Sequence, residues 1–197
     1  MPSLDGLLPK TAALIYASGP EYFDVLFGST ESALARLRSW VGRASSGFGF
    51  DRVTVALAEG EVAGIALHLS GQDLADRQRM DMLALLKESD SSQRANLTRN
   101  TDIIRAMTPT VQSWEYYLRS LSVDEAHRGK GLGAALLKQV FAAGLALSFH
   151  SFRLDVRSDN TVALKLYRSA GFEISQSFKV QPKGWELFSM RVEVKGT

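Results

Sequence analysis

Three glycines within five residues, Gly129, Gly131 and Gly133, stand where a strand-like run gives way to an apolar helical pattern, in "SVDEAHRGKGLGAALLKQVF" from Ser122 to Phe141. Glycine costs about 1 kcal/mol relative to alanine inside a helix, so three of them at a helix start imply a use for bare backbone. A strand turning into a helix leaves several N–H groups without intrahelical acceptors, and with the macrodipole they form a site for phosphate. Glycine lets such a group approach the main chain without interference from Cβ, and it permits positive φ. Arg128 and Lys130 add positive charge to the same loop. A diphosphate is the natural ligand of such a cradle, although a tight turn whose glycines only cap and pack accounts equally well for the glycines taken alone.

The loop does not follow the P-loop pattern GxxxxGK[ST]. It meets the dinucleotide fingerprint GxGxxG weakly, because Ala134 stands at the third glycine position, where alanine is sometimes allowed. That fingerprint belongs early in a chain, with further parallel strands behind it, whereas here the unit lies late.

Around the loop, hydrophobic periodicity and turn residues give an order of elements. "LPKTAALIYASG" reads as a short helix with Pro9 in its first turn and Gly19 as its stop. A second helix, "ESALARLRSWVGRA", follows a cap at Ser29 or Thr30, and "RVTVALAEGEVAGIALHLS" is a hairpin. From 72 to 109 the pattern is helical and polar, with a break at 89–94 between two helices. The charges in this stretch, Arg77, Arg79, Lys87, Asp76, Asp81 and Glu88, read as a solvated face. "WEYYLRSLSV" is an aromatic-rich strand leading into the glycine loop and the helix after it. Then come a strand, "FRLDVR", a helix from Asn160 to Ala170 stopped by Gly171, and a strand pair, "FEISQSFKV" and "WELFSMRVEV", joined around Pro182-Lys183-Gly184. No repeat or linker divides the chain, so 1–197 is expected to form one mixed α/β domain.

Arg128-Gly129-Lys130-Gly131-Leu132-Gly133 resembles the R/Q-x-x-G-x-G/A signature of the GNAT superfamily of N-acetyltransferases. About 26 residues after Gly133, "DNTVALKLYRSAGFE" resembles that family's second motif, an asparagine opening a helix and a tyrosine preceding a Gly-Phe pair. The two motifs stand in the family's order and span roughly Tyr117 to Phe178, about a third of the chain. The resemblance implies a central mixed, largely antiparallel sheet with a splayed parallel strand pair, flanked by helices. Members usually begin with a strand before the first helix; this chain enters a helical pattern almost at once. The helical stretch 72–109 is longer than the usual connection and is expected on the acceptor side.

By that resemblance the donor substrate is acetyl-CoA, with no metal. Its pyrophosphate would be held by main-chain groups of Arg128, Gly129, Lys130, Gly131, Leu132, Gly133 and Ala134, and its pantetheine arm by Leu121, Ser122 and Val123. Asn160 matches the asparagine that contacts the cofactor, and also reads as a helix N-cap. Tyr167 matches the family's tyrosine near the coenzyme sulfur; on its own it equally reads as a helix residue packed on Phe172. A phenol of pKa about 10 stays protonated beside a leaving thiol of about 8.5, so Tyr167 can donate to it. The acceptor is an amine that must lose a proton to attack. Glu115 and Tyr117, on the strand before the loop, are candidates to assist, Glu115 also reading as a solvated strand start. Simple alternation puts 115, 117, 119, 121 and 123 on one face, unless a bulge flips the parity. His68, His127 and the Trp114-Tyr116-Tyr117 cluster read first as packing or surface residues.

Composition narrows the alternatives. A formal charge of +2 gives little support for a nucleic-acid partner, including the aminoacyl-tRNA that a toxin-like member of the superfamily would require. With no cysteine, disulfides and thiolate metal sites are excluded, and the three histidines lack metal-ligand spacing. No apolar run approaches the ~20 residues that span a bilayer, and the start lacks a signal-peptide pattern. A cytoplasmic enzyme is expected, with pairing into a homodimer through the final strands open. A second reading is a non-catalytic acyl-CoA-binding or regulatory protein that kept the cradle.

Overall fold

The computed structural model describes residues 4–195 apart from residue 109. Helix α1 spans Leu4–Ala17, α2 Pro20–Phe27 and α3 Thr30–Val41. Pro9 lies inside α1 rather than in its first turn, because the helix starts earlier than the sequence pattern indicates. Helix α2 was not expected. Pro20 opens it, and Gly28, at φ 91°, closes it by returning its N–H to the Asp24 carbonyl. Ser29 caps α3 by accepting from the Ser32 N–H.

Strands β1 (Val53–Ala58) and β2 (Glu61–Ser70) form the expected hairpin. Its two-residue turn puts both Glu59 (φ 53°) and Gly60 (φ 85°) in the left-handed region, which suits the twist of the strands. The segment after it holds three helices instead of two: α4 (Gly71–Glu88), α5 (Ser91–Arg99) and α6 (Thr101–Met107). The breaks fall where capping residues stop one helix and start the next, at Ser89-Asp90 and at Asn100. β3 (Glu115–Val123), α7 (Leu132–Ala146), β4 (Ser151–Arg157), α8 (Thr161–Ser169), β5 (Glu173–Val180) and β6 (Trp185–Glu193) complete the chain.

The six strands form one mixed sheet in the order β1-β2-β3-β4-β6-β5, antiparallel throughout except for β3 against β4. No strand precedes α1 among the described residues. One face of the sheet carries α1, α2 and α3 over a core that includes Leu37, Trp40, Ile65 and Leu67. The other carries α7 and α8 over Leu136, Val140, Phe152, Leu164 and Met190. The expected polar face of α4 is only partly solvated. Arg77 reaches Asp51, Asp73 and the Ala44 and Ser46 carbonyls, while buried Asp81 accepts the Gly47 N–H at 2.9 Å. Apart from Asp73, one turn back on α4, these partners come from the segment after α3, far from α4 in sequence, so charge pattern alone could not reveal them.

Two features of β3 position everything that follows. Leu67 pairs with Ser120 and His68 with Leu118, so Arg119 is the extra residue of a bulge. Tyr116 and Leu118 face α7 before it, and Leu121 and Val123 face α7 after it, so the parity flips. The second feature is the parallel pairing with β4, which runs from Glu115↔Ser151 to Leu118↔Leu154 and then ends, although both strands continue.

His68 belongs to the packing and not to a site. Its ring lies 2.8 Å from the Tyr116 hydroxyl on one side and 2.8 Å from the Thr54 hydroxyl on the other. Burial, helped by the charge of Arg52, holds its imidazole down at about 4. Between pH 4 and about 6.5 the unfolded chain binds a proton that the folded chain refuses, so stability falls by up to ~3 kcal/mol as the pH drops through that window. Urea unfolding at pH 4.5 and 7.5 should show this loss in the parent protein and a shallower one in His68→Gln. A second expected outcome concerns α7. A Cβ on Gly144 would stand 2.4 Å from the Phe152 ring and 2.9 Å from Tyr116. Helix propensity favours alanine by about 1 kcal/mol, but overpacking of a rigid aromatic contact costs about 1–3 kcal/mol. Gly144→Ala is therefore expected to be destabilising in urea, and a gain in stability would contradict this contact.

Candidate functional site

Beyond Leu118 and Leu154 the two parallel strands part, and the opening is a cleft of about 490 Å³. Its walls come from the α1–α2 junction, from β3 between Tyr117 and Leu121, from β4 between Asp155 and Arg157, and from α8. Of the residues singled out in the sequence, Tyr117, Leu121, Asn160 and Tyr167 line it together. Past Leu118, the edge of β3 that faces away from β2 has no strand beside it, which leaves main-chain groups free toward the cleft.

Tyr167 is 7% exposed and packs edge-on against Phe172, the ring centroids 5.9 Å apart, while its side chain also borders the cleft. Burial pushes its phenol well up, so the hydroxyl keeps its proton. Asn160 caps α8, its Oδ1 accepting the Ala163 N–H at 3.1 Å. The cap sets where the helix starts, and Tyr167 lies two turns along it.

The glycine loop lies where β3 runs out. Gly129 and Gly131 both take positive φ, 75° and 81°, with nothing within 4 Å of where a Cβ would stand. Gly131 is the N-cap of α7 and provides no side-chain hydrogen bond, so the first-turn N–H groups of Leu132, Gly133 and Ala134 have no intrahelical acceptor. Gly133 serves packing: a Cβ there would stand 3.3 Å from Leu166, so its absence lets α7 and α8 approach. Arg128 and Lys130 are exposed, each bonded to a nearby carbonyl, Val123 and Ala126 respectively. Ser122 is buried and Val123 half-buried beside the loop.

Glu115 is not brought to the cleft. It is fully buried, its Oε1 2.5 Å from Arg191 and its Oε2 accepting the Gln112 N–H at 2.8 Å, with Arg153 3.7 Å away. It pins the closed end of the β3–β4 pair. Its arginine partners sit on β4 and β6, which the local strand pattern could not announce. Trp114 is exposed and stacks on Arg191, Tyr116 packs against Phe149 and Phe152, and His127 pairs loosely with Asp124 at 3.6 Å.

Two residues that the sequence reading passed over line the cleft. Asp155 accepts the Tyr117 hydroxyl at 3.0 Å on Oδ2, and Ser189 and Arg153 on Oδ1. Tyr117 is buried, and burial together with the negative charge of Asp155 raises its phenol, so it stays a donor. Arg119, thrown out of the ladder by the bulge, lies 3.7 Å over the Phe48 ring and donates to the Gly47 carbonyl. Alternation of "FRLDVR" places Asp155 with Arg153, a signal that was available; the bulge at Arg119 had none. A larger groove of about 850 Å³ runs between α4, α5 and α6; none of the candidate site residues lines it, and it meets the cleft at Gln78. Among the described residues no group of three or more potential ligands gathers as a metal site, and no helix is long and apolar enough to cross a membrane.

Comparison with known proteins agrees with this architecture. The model of the acetyltransferase (GNAT) family matches residues 19–172. Over 62 residues, 30% of this chain, the sequence is 42% identical to an N-alpha-acetyltransferase RimI of Mycobacterium tuberculosis, a match that spans 36% of that relative's length. A solved acetyltransferase structure is 25% identical with a TM-score of 0.67, covering 98% of this chain and 97% of that one. An N-acetyltransferase from Staphylococcus aureus Mu50 superposes with a TM-score of 0.74 at 18% identity, covering 95% and 96%.

Proposed function

This chain belongs to the acetyltransferase (GNAT) family, and from that premise we propose that it transfers an acetyl group from acetyl-CoA to a primary amine by direct attack on the thioester. The observation that carries the reading is the cleft itself: the β3–β4 fork leaves free main chain on one wall, and Tyr167 borders the same space. The glycine loop fits the coenzyme. Two left-handed glycines with open space above them and an uncapped helix start are what a diphosphate needs for close approach.

In this reading the N–H groups of residues 128–134 receive the pyrophosphate, with Arg128 and Lys130 adding charge. Leu121, Ser122 and Val123 pair through their main chain with the pantetheine arm, and a donor on this strand steadies the developing oxyanion. Asn160 sets the start of α8 and stands beside the coenzyme. The amine nitrogen forms a bond to the acetyl carbon, the carbon–sulfur bond breaks, and the net result moves one proton from nitrogen to sulfur. Tyr167 donates a hydrogen bond to the sulfur as its charge grows. Because burial keeps the phenol protonated, it is ready to donate at neutral pH. Glu115 contributes by holding the fork closed behind the site, not by taking the proton. Helices α4 and α6 border the acceptor side through Gln78 and Met107.

Acetyl-CoA titrated calorimetrically into the protein should bind, and thiol release should follow when an amine acceptor is present; no binding would remove the proposal. Tyr167→Phe keeps the ring against Phe172 and loses only the hydroxyl. A thiolate already leaves readily, so the rate constant should fall about 10- to 100-fold, at the low end of acid–base effects, with acetyl-CoA affinity unchanged. An unchanged rate would deny Tyr167 its role.

A further inference from the structure

We propose that the acceptor is a small zwitterion of the free amino acid type, a primary amine with its own carboxylate nearby. Its carboxylate is received by Arg119 and its ammonium by Asp155. The inference rests on the acyl-transfer reading above and names the substrate class of that same cleft.

Arg119 is a cation that no carboxylate touches directly, although buried Asp81 lies close enough to feel its charge. The bulge turns it into the cleft, the Phe48 ring supports the guanidinium at 3.7 Å, and one nitrogen donates to the Gly47 carbonyl at 3.1 Å. Among the described residues no carboxylate oxygen lies within 4 Å of it, and the rest of its fork has no acceptor. Gly47 makes the room, since a Cβ there would stand 2.3 Å from the same nitrogen. The Asp81 carboxylate lies on the same side of Gly47, its Oδ2 3.2 Å from that Cβ position; it accepts the Gly47 N–H rather than bonding the guanidinium, and the Arg119 charge partly offsets what burial does to its carboxyl. The other arginine of the cleft wall, Arg157, is committed to Glu21 and Asp159. A guanidinium with free donors matches the planar, bidentate geometry of a carboxylate.

Asp155 supplies the opposite charge. Ser189 and Arg153 occupy Oδ1, but Oδ2 accepts only the Tyr117 hydroxyl. A carboxylate oxygen has room for a second donor, and an ammonium fits it. Register fixes how the two charges stand: Leu118 and Leu154 are the last paired residues, so Arg119 and Asp155 are the first on either arm of the fork. Tyr117 joins them, bonded to Asp155 and two residues before Arg119 on the same strand face. The cleft thus presents a plus and a minus on its two strand walls, with no direct ion pair between them. Part of its 490 Å³ must take the acyl end of the donor, which leaves space for a small molecule. A polyamine would set a second cation against Arg119, and a peptide N-terminus would offer it only an amide.

The test uses the full chain, with and without saturating coenzyme A. Free amino acids and their carboxamides are titrated calorimetrically, and acetylation is followed by thiol release from acetyl-CoA. At least one amino acid should bind and be acetylated, with its carboxamide about 10- to 100-fold poorer in kcat/KM, the worth of a charge-assisted hydrogen bond. Arg119→Met keeps an apolar stem on Phe48; it should erase that ratio while leaving acetyl-CoA affinity intact, and Arg119→Lys should restore part of it. The proposal is overturned if carboxamides, peptides or polyamines serve as well as free amino acids, if no amino acid binds, or if Arg119→Met leaves the ratio unchanged. Amino acid binding without any thiol release would instead remove the acyl-transfer reading and leave the zwitterion site standing.

Discussion

Four residue pairs hold β3 to β4, and the working part of the molecule depends on their ending at Leu118 and Leu154. A parallel pair that continued would bury the main-chain groups that now face the cleft. The closed end has to be strong enough to survive an open one. It is pinned by Glu115, which is wholly desolvated between Arg191 and Arg153, and by Asp155, which links Tyr117 of β3 to Ser189 of β6. A buried ion pair is a weak source of net stability, because desolvation offsets the attraction, but removal of one partner strands the other in a dry environment. Such a network therefore specifies geometry more than it adds stability. Here the geometry specified is the angle of the fork.

The bulge at Arg119 is the complementary device. Without it, strand alternation would carry Tyr117, Leu121 and Val123 onto one face, and the half of β3 beyond the fork would turn the wrong side to α7. One extra residue restores Leu121 and Val123 to the α7 core. It also releases Arg119 from the ladder, so a single irregularity keeps the core continuous and creates a charged group in the cleft. Bulges of this kind re-aim side chains beside sites, and Gly47 shows the surrounding structure shaped to accept the result.

What the sequence disclosed follows from which interactions are local. Helix caps, the Glu59-Gly60 turn and the apolar stripe of α7 are decided within a few residues, and these elements appear where the pattern put them. The glycine loop is equally local, because its meaning lies in backbone freedom that only glycine has. Glu115 misled because a glutamate at a strand start looks solvated until Arg153 and Arg191 are folded around it. Arg77 and Asp81 misled in the same way, most of their partners lying in the segment after α3. Helix α2 was hidden by its brevity and by aromatic residues, Phe23 and Phe27, which pack against Phe48 and Trp40 respectively rather than forming a long periodic stripe.

The same division separates the two substrates. A donor recognised through main-chain N–H groups leaves a signature in glycines and spacing, since any side chain there is an obstruction. An acceptor recognised through side chains draws on β3, β4 and the α3–β1 connection at once, at positions with no motif of their own. Arg119 is informative only because Phe48 carries it, Gly47 admits it and no carboxylate bonds it directly, facts that lie far from β3 in the sequence. Asp155 is informative only because Tyr117 leaves one side of Oδ2 open. The acceptor side can therefore change by single substitutions without disturbing the donor cradle, and its specificity has to be sought in hydrogen-bonding capacity left open after folding.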